Sequence, residues 1–362
     1  GFGSSYPKIW PHNVMVYCSP CLCCCALVPL LWGPLVIGDW LPCCSYRYER
    51  EVVNCSVPET PLAPSDDVAE LAMVHVAYSS DSGNFAGVLG SMVSLSRHLQ
   101  EPSQCTIHLV VAAADMEKAT RLVDCFRREL ASSAASAPSV ALYELVEADI
   151  NGLDTPYRRH LMRQQTFARL YLHTYLPSFV PRVLWLDHDT IIRSDVRPLY
   201  QMRMSHAIAV TWEHGAGNTR VGSTVRAYEL FLPRAARSRI PDLDARVFGT
   251  GVMLMDLGKW RSGNITEDVM QWVKIVAGIE GEQLAMNMHF GSRTDVLDWS
   301  WNVMGLGWIR YRLPQHCIDR ARVLHWSGPN RQKPWSRHWS RIAVHDDLFA
   351  PYDLRGRCAA VA

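Results

Sequence analysis

Short hydrophobic runs alternate with stretches of helical spacing through most of the chain. Nearly uninterrupted apolar runs predict buried strands at residues 74–79, 106–112, 140–145, 183–186, 208–211 and 252–255. Apolar residues three or four positions apart predict helices at residues 85–99, 116–130, 165–176, 265–277 and 283–290. Strands that alternate with helices favour a mainly parallel α/β sheet with helices on both faces. Such sheets bind ligands beyond the carboxyl ends of their strands.

The segment that precedes this pattern has a different character. No Asp, Glu, Lys or Arg occurs at residues 9–38, and the apolar run at residues 14–37 is long enough to cross a bilayer. We expect an uncleaved signal anchor within residues 1–44, with a cleaved signal peptide or a buried core segment as alternatives. Residues 45–70 carry charges and prolines without a steady period, which is typical of a stem. A catalytic domain at residues 71–353 and a tail at residues 354–362 complete the predicted division.

Composition and charge narrow the class of protein. Of the 362 residues 48% are hydrophobic, and 36 Lys plus Arg balance 35 Asp plus Glu. This balance argues against a nucleic-acid partner held by bulk electrostatics. No G-x-G-x-x-G follows the first predicted strand and no Walker loop occurs, so both nucleotide-binding fingerprints are absent from the sequence. Two N-glycosylation patterns, which begin at Asn54 and Asn264, agree with a lumenal location.

Two carboxylates follow one of the predicted strands. The segment VLWLDHDTII at residues 183–192 places Asp187 and Asp189 at the end of an apolar run. If the chain stays extended, both side chains point the same way, because strand side chains have a period of two. Converging carboxylates repel unless a cation joins them, and hard divalent cations take oxygen ligands and leave positions open for phosphate oxygens. We therefore predict a metal–diphosphate platform, with helix-cap or turn residues as the alternative.

The same D-x-D spacing occurs a second time, which shows that spacing alone is a weak signal. Asp242-Leu-Asp244 follows a proline in a polar stretch. We predict that this second pair lies in a surface loop.

The segment LWLDHDTIIRSDVRPLY at residues 184–200 resembles the metal-binding block of glycosyltransferase family 8, the group of glycogenin, the bacterial galactosyltransferases and the galacturonosyltransferase-like proteins. Further blocks of this family follow in the expected order between residues 74 and 335. They are HVAYSSD with Asn84, TFARL, FGTGVMLMDL, GEQL with Asn287, LDWSWN, LHWSG and KPW. The resemblance implies a GT-A fold with a Rossmann-like sheet, a UDP-sugar donor, a divalent cation that is usually Mn²⁺, and retention of anomeric configuration.

The resemblance also assigns individual positions. Asp187, Asp189 and His325 match the metal ligands, and Gln283 with Glu282 matches the catalytic positions beside the donor sugar. The positions that match donor or nucleotide contacts are Asp81, Asn84, Arg169, Gly251, Gly328 and Lys333. From the residues alone, other interpretations stay open: core packing for the histidine, a solvated surface position for the lysine, turn or cap positions for the Asp81–Asn84 pair, and a structural ion pair for the arginine.

The chain departs from the family pattern at three places. Gly249 stands where the family usually has Asn, so a donor-sugar contact is lost or comes from a neighbour such as Thr250. Glu282 replaces an Asp, which keeps the charge but changes its reach. The interval between Gly328 and Lys333 is longer than usual, so that Arg331 is an alternative contact for the diphosphate.

Taken together, these patterns predict a single-pass type II membrane protein of the Golgi or another secretory-pathway membrane, with its catalytic domain in the lumen. Its predicted activity is transfer of a hexosyl or pentosyl group from a UDP-sugar to a glycan, glycoprotein or polysaccharide. One alternative is a catalytically impaired family member that binds nucleotide sugars, which Gly249 keeps open. A metal-dependent phosphohydrolase or nucleotidyltransferase is a further alternative, but it needs another carboxylate cluster.

Overall fold

A computed structural model of the chain describes residues 62–66, 70–131, 137–150, 153, 163–213, 224–277, 281–307, 313–328, 332–337 and 345–358. The strands in this part of the chain are β1 (Val74–Ser79), β2 (Cys105–Val111), β3 (Ser139–Glu144), β4 (Arg182–Leu186), β5 (Thr190–Ile192), β6 (Ile208–Trp212), β7 (Phe248–Asp256), β8 (Asp295–Val296) and β9 (Val323–His325). The α-helices are α1 (Phe85–His98), α2 (Met116–Ala131), α3 (Gln164–Phe167), α4 (Leu172–Tyr175), α5 (Arg197–Tyr200), α6 (Arg234–Arg237), α7 (Leu257–Ser262), α8 (Ile265–Val276), α9 (Glu282–Phe290), α10 (Gln315–Arg320) and α11 (Asp346–Phe349).

The central sheet has seven strands in the order β3-β2-β1-β4-β7-β6-β8. Strands β1 to β4 pair in parallel, as do β6 and β8. Strand β7 runs antiparallel to both of its neighbours, β4 and β6. The predicted mainly parallel α/β sheet is therefore confirmed, with β7 as the reversed strand. Because β7 is reversed, it begins at the sheet edge where β1 and β4 end.

Helices cover both faces of this sheet, as the sequence pattern predicts. Buried side chains of α1 and α2, such as Leu89 and Phe126, pack against one face. On the other face lie buried side chains of α7, α8 and α9, including Trp260, Trp272 and Phe290. Burial of an aromatic or large aliphatic side chain contributes about 1.5–3 kcal/mol, so both layers stabilise the sheet.

The predicted continuous helix at residues 165–176 is interrupted in the structure. A 3-10 segment, Ala168–Tyr171, separates α3 from α4. Arg169 in this segment is buried, and its Nε donates a hydrogen bond to the carbonyl oxygen of Thr166 at 3.2 Å. The tighter 3-10 turn directs the guanidinium towards the sheet, where it contacts the carboxylate that follows β4.

The segment that includes α11 lies against α1 and α2. Phe349 and Leu354 are buried in the same core as these helices, and a disulfide joins Cys125 of α2 to Cys358. Glu129 of α2 also pairs with Arg357 at 3.0 Å. Residues 346–358 are therefore fixed to the first two long helices both covalently and by packing.

The predicted membrane anchor at residues 14–37 lies outside the described residues. Among the residues that are described, no helix is both long and apolar enough to span a membrane. Part of the predicted stem is described: Pro64 forms an isolated antiparallel bridge with Met202, and the Ser65 amide donates to the Gln201 carbonyl at 2.8 Å.

Candidate active site

The predicted site residues meet at the carboxyl edge of the sheet. Asp81 follows β1 and Asp187 follows its parallel neighbour β4, while Gly251 lies near the start of the reversed strand β7. The Asp187 amide donates a hydrogen bond to the Gly251 carbonyl at 2.8 Å. This arrangement places side chains from three adjacent strands at one edge, where parallel sheets bind ligands.

A short two-stranded sheet brings His325 to this edge. The chain turns at His188 and Asp189 and re-enters strand structure at β5, which pairs antiparallel with β9 so that Thr190 lies opposite His325. The Trp326 amide donates to the Asp189 carbonyl at 2.9 Å. The assumption of an extended chain through both aspartates is therefore wrong, because the pairing of β5 with β9 requires the turn. The two carboxylates nevertheless approach the same histidine.

Asp187, Asp189 and His325 each offer one ligand atom, and these atoms lie within 4.8 Å of one another. The Nε2 atom of His325 is 3.2 Å from Oδ1 of Asp189 and 3.9 Å from Oδ2 of Asp187. Oδ1 of Asp189 is buried and accepts no hydrogen bond within the described part of the chain. A buried acceptor of this kind is costly in isolation. Two carboxylates and one imidazole that converge on a common point fit a divalent cation such as Mn²⁺.

A hydrogen bond at Nδ1, the ring nitrogen that does not face the aspartates, fixes the orientation of His325. Its Nδ1 atom lies 2.8 Å from Oδ1 of Asn302, and an amide oxygen can only accept a hydrogen bond. Nδ1 is therefore the donor, which leaves the lone pair of Nε2 directed towards the carboxylates. A Cβ atom at Gly251 would lie 2.2 Å from Cε1 of His325, so only glycine leaves room for this ring.

Lys333 lies beside the cluster. Its Nζ donates to Oδ2 of Asp189 and, at 2.5 Å, to the carbonyl oxygen of Trp326. Burial opposes ionisation of Asp189, but the neighbouring ammonium of Lys333, with a smaller contribution from the adjacent His325, outweighs it and holds the pKa of this carboxyl well below its usual range. The longer interval after Gly328, which is itself buried, does not remove Lys333 from the cluster. Arg331, the alternative contact, lies outside the described residues.

Arg169 and Trp185 fix the other aspartate. Oδ1 of Asp187 accepts hydrogen bonds from the Arg169 guanidinium at 2.9 Å and from the Trp185 indole at 2.8 Å. The guanidinium also stacks over the indole, with 4.7 Å between its carbon and the ring centroid. With Oδ1 engaged twice, Oδ2 of Asp187 is the oxygen that faces His325. Arg169 therefore forms a structural ion pair, which was the alternative interpretation from the sequence. Its contact with a donor sugar nucleotide stays a prediction.

Glu282 and Gln283 lie at the start of α9, next to Thr250. Oε1 of Gln283 accepts from the Thr250 amide at 3.2 Å and from its hydroxyl at 3.3 Å. Glu282 is buried, and its carboxylate is 3.6 Å from the Arg169 guanidinium. Asn287, one turn further along α9, bonds both the amide and the carbonyl of Phe248 at 2.9 and 3.0 Å. These contacts attach the first turn of α9 to the start of β7, close to the aspartate cluster.

The predicted nucleotide positions form a second group at the end of β1. Oδ1 of Asp81 accepts from the Asn84 side chain at 3.0 Å, and Oδ2 pairs with Arg163 at 2.9 Å. The Trp335 indole donates to Oδ1 of Asn84 at 3.3 Å. A Cβ atom at Gly87 would lie 2.4 Å from the same indole, so Trp335 packs directly on the start of α1. Trp335 thereby joins the segment that carries Lys333 to the Asp81 turn.

Met304 occupies the space beside Gly249. A Cβ atom at this glycine would lie 2.9 Å from Sδ of Met304 and 3.5 Å from Nδ2 of Asn302. The Met304 thioether therefore packs directly against this glycine. The second D-x-D is a turn at the surface: Asp244 pairs with Arg226 at 2.8 Å, and its amide donates to Asp242.

Several residues that support the site did not follow from the sequence patterns. Trp185, Thr250 and Asn302 contact the predicted site residues by hydrogen bonds that join segments far apart or act within a turn. Asn302 lay within a block that resembles the family, yet no pattern pointed to its contact with His325. Only the tertiary pairing of strands brings these groups together.

Two aspartates and a histidine thus converge at the carboxyl edge of a mainly parallel α/β sheet. The chain belongs to Glycosyl transferase family 8, whose sequence profile matches residues 75–338.

Known proteins are similar over most of the chain. Probable galacturonosyltransferase-like 9 of Arabidopsis thaliana is 29% identical over 326 residues, which cover 88% of this chain and 80% of that protein. Probable galacturonosyltransferase-like 3 of the same plant is 28% identical over 319 residues, which cover 86% of this chain and 87% of that protein. The crystal structure of the galactosyltransferase LgtC with donor and acceptor sugar analogues is similar in fold, with a TM-score of 0.55, 18% identity, and coverage of 78% of this chain and 99% of that one.

Proposed function

We propose that this protein transfers a hexosyl or pentosyl group from a UDP-sugar to a glycan, glycoprotein or polysaccharide acceptor, with a divalent cation and with retention of anomeric configuration. The observation that carries this proposal is the convergence of Asp187, Asp189 and His325 beside Lys333 at the carboxyl edge of the sheet.

The cation would be held by Oδ2 of Asp187, Oδ1 of Asp189 and Nε2 of His325. The buried Oδ1 atom of Asp189, which accepts no hydrogen bond among the described residues, supports this assignment. Mn²⁺ or another divalent cation at this point would neutralise the diphosphate as it leaves the sugar. Lys333 adds a second positive charge, since its Nζ is directed to Asp189 and can also serve phosphate oxygens.

The nucleoside would lie towards the turn after β1. Asp81 and Asn84 are already bonded to each other and to Arg163 and Trp335, so the turn is rigid before a ligand arrives. A rigid turn lowers the entropic cost of binding. Together with Lys333, this turn would orient the UDP portion so that the sugar extends towards β7 and α9.

The sugar end is lined by Glu282, Gln283 and Thr250. Glycoside hydrolases use two carboxylates on opposite sides of the bond that breaks. Here one carboxylate, Glu282, is buried against Arg169, and an amide stands beside it. This arrangement favours attack from the face that the diphosphate leaves, with the acceptor hydroxyl bonded to the departing phosphate. Gln283 would stabilise developing positive charge through Oε1 once Thr250 releases one of its two hydrogen bonds to that oxygen.

Gly249 keeps a second candidate function open, a family member that binds nucleotide sugars without turnover. Met304 packs next to this glycine, and position 249 itself has no side chain that could make a polar contact to the donor. A phosphohydrolase would use a further metal-binding cluster. Among the described residues, the group formed by Asp187, Asp189 and His325 is the one set of His, Cys, Asp and Glu side chains that can hold a metal.

The activity test is release of UDP from a panel of UDP-sugars, with and without Mn²⁺. We expect one UDP-sugar to be consumed in a reaction that needs the cation, and Asp187→Asn to abolish it. Asp242→Asn in the surface turn is the matched control. Binding of UDP with Mn²⁺ but no turnover of any donor, in the presence of a glycan acceptor panel, would favour the impaired family member instead.

We also propose that the catalytic domain lies in the lumen of the Golgi or another secretory compartment, behind the anchor at residues 14–37. The disulfide between Cys125 and Cys358 supports this location, because such bonds persist in oxidising compartments.

The glycosylation pattern at Asn264 supports the lumenal location as well. Asn264 is exposed, whereas the hydroxyl of Thr266 is buried and donates to the Leu170 carbonyl at 2.6 Å. A glycan would therefore be added before α8 packs.

Location is tested by carbonate extraction and glycosidase treatment of the full chain. We expect the protein to stay in the membrane fraction and to lose mass on deglycosylation, with a smaller loss for Asn264→Gln. That variant keeps the Thr266 hydrogen bonds, so we expect it to fold as the native protein does. A soluble product that begins after residue 38 would contradict the anchor, and reduced Cys125 in a cytosolic protein would contradict the lumenal location.

A further inference from the structure

We propose that Asn302 is the positioning residue of the metal-binding histidine. By accepting a hydrogen bond from Nδ1 of His325, it fixes the tautomer and the ring orientation that present Nε2 to Asp187 and Asp189. This inference rests on the proposed metal centre and adds to it the group that makes the histidine competent as a ligand.

The first support is the hydrogen bond itself. Oδ1 of Asn302 lies 2.8 Å from Nδ1 of His325, and both side chains are buried, with Asn302 fully excluded from solvent. A neutral imidazole carries one N–H, and the amide oxygen accepts it at Nδ1. Nε2 then has a free lone pair, 3.2 Å from one carboxylate oxygen and 3.9 Å from the other. An imidazole that donates through its far nitrogen is a stronger and better oriented metal ligand.

The backbone holds the amide and the ring in one frame. Asn302 ends the 3-10 helix Trp299–Asn302. The next residue, Val303, is hydrogen-bonded to β9 through both its amide and its carbonyl group. Its amide donates to the Val323 carbonyl at 2.9 Å, and its carbonyl accepts from the His325 amide at 3.0 Å. The same short ladder therefore fixes the start of both side chains, so a change at Asn302 acts on the ring rather than on the strand.

The glycines of β7 make room for this pair. A Cβ atom at Gly251 would collide with the His325 ring, and one at Gly249 would press on Met304 and come within 3.5 Å of Nδ2 of Asn302. At Gly249 the tight contact would be with the flexible Met304 side chain, whereas the distance to Asn302 is an ordinary van der Waals contact, so Gly251 is the glycine that the His325 ring requires. The Gly-Thr-Gly sequence leaves the histidine and its amide partner undisturbed.

The other end of the amide is without a partner. Nδ2 of Asn302 is buried and makes no hydrogen bond to the described residues. A buried donor of this kind is costly, because it gives up its hydrogen bonds to water without replacing them. Unsatisfied polar groups that persist in a native fold call for an explanation, and one explanation is a functional role. The amide is therefore held by its bond to His325, not by a network of its own.

The test compares two variants that differ in what they can accept. Asn302→Leu removes the hydrogen-bond acceptor at similar side-chain volume. Asn302→Asp keeps an acceptor, and its ionised carboxylate has no proton to donate. Mn²⁺ affinity, measured without nucleotide by electron paramagnetic resonance of the free ion, should fall about 10- to 100-fold for the leucine variant. It should stay within a few-fold of the native protein for the aspartate variant.

Ser300→Ala is the matched structural control. Ser300 is buried in the same 3-10 helix and bonds to Asp298 rather than to a metal ligand. We expect it to lower the unfolding temperature in EDTA without changing Mn²⁺ affinity. Unfolding temperatures in EDTA for the Asn302 variants separate loss of fold from loss of binding.

Equal Mn²⁺ affinity of the leucine variant and the native protein would overturn the inference. Equal weakening of both Asn302 variants would overturn it as well, because it would mean that the amide donates to the ring. If the native protein binds no Mn²⁺ and Asp189→Asn changes nothing, the proposed metal centre fails together with this inference.

Discussion

The Nδ1 atom of His75 lies 3.0 Å from the Nε2 atom of His108, inside the sheet between β1 and β2. Nδ1 of His108 continues the chain of hydrogen bonds to the Tyr143 hydroxyl of β3 at 3.0 Å. Tyr200 of α5 lies on the other side of His75, with 6.5 Å between ring centroids. Burial lowers the pKa of His75 to about 4. Burial, with a smaller contribution from His75, lowers the pKa of His108 to about 3.

This pair predicts that the fold loses stability in acid. Both histidines are neutral in the folded protein, but in the unfolded chain they take up protons near pH 6.5. The stability that the two neutral histidines allow is therefore complete above pH 6.5. It is lost as the pH falls towards their folded-state pKa values, about 4 for His75 and about 3 for His108. By pH 5 the loss is on the order of 2 kcal/mol per histidine. Urea unfolding at pH 7.5 and pH 5 should show the difference.

His108→Gln should reduce this pH dependence by about half, because it removes one of two depressed groups and keeps a hydrogen-bonding side chain. The exposed His316→Gln change provides a control that removes a histidine without touching the pair. If His108→Gln and His316→Gln have the same effect on the slope, the buried pair is not the source.

Asp187→Asn should reduce transfer activity at least about 100-fold, because it removes a charge from the proposed cation site. Asp189→Asn should do the same and should also destabilise the fold, since it removes the carboxylate that compensates buried Lys333, at a cost of about 3–5 kcal/mol. Activity at saturating Mn²⁺ and the unfolding midpoint distinguish the two effects. Asp242→Asn should leave both unchanged, and an equal loss there would mean that the wrong pair was chosen.

Gln283→Ala should lower the transfer rate much more than it weakens UDP binding. A group that acts on charge developing at the sugar affects the transition state, and about 2–4 kcal/mol corresponds to about 30- to 1,000-fold in rate. Lys333→Ala should weaken both, because Lys333 would contact the diphosphate in the ground state. Calorimetry of UDP with Mn²⁺ and the rate at saturating donor give the comparison. Native turnover in Gln283→Ala would contradict its placement at the sugar.

Gly251→Ala should displace the His325 ring and abolish Mn²⁺ binding while the chain still folds. The new Cβ atom would lie 2.2 Å from Cε1 and 3.1 Å from Oδ2 of Asp187, which costs about 1–3 kcal/mol in rearrangement. Gly356→Ala is the matched control, because no atom lies within 4 Å of its Cβ position. Mn²⁺ affinity of the two variants decides the matter, and native affinity in Gly251→Ala would contradict the position of His325.

The long elements of the fold were predictable because hydrophobic spacing specifies them directly. The strand prediction at residues 74–79 coincides with β1, and the helix prediction at residues 116–130 differs from α2 by one residue. Strands β5 and β9 were not predicted, since each has three residues and is too short to show a period. Their pairing is nevertheless what brings the histidine to the aspartates.

The candidate site was predictable to a similar degree. Asp187 and Asp189 stand out because they follow an apolar run at the end of a predicted strand, where such sheets bind ligands, and family blocks led to His325 and Lys333. Asn302 could not be singled out, because an amide gives no signal until tertiary structure supplies its partner. Thr250 was named as a neighbour of Gly249, but its contact with Gln283 was not predicted, for the same reason. The break in the helix at Arg169 was not predicted either, because the contact of its guanidinium with Asp187 exists only in the tertiary structure.

The separation of the site residues in sequence determines the order in which the site can be assembled. Asp189 and Lys333 are 144 residues apart, and His325 enters only with β9. During synthesis, which proceeds from the amino terminus, the two aspartates emerge long before their histidine and lysine. Until β9 pairs with β5, the carboxylates have neither the third ligand nor the compensating charge. A cation that needs all three proposed ligands would therefore be bound only after β9 has paired with β5, late in folding.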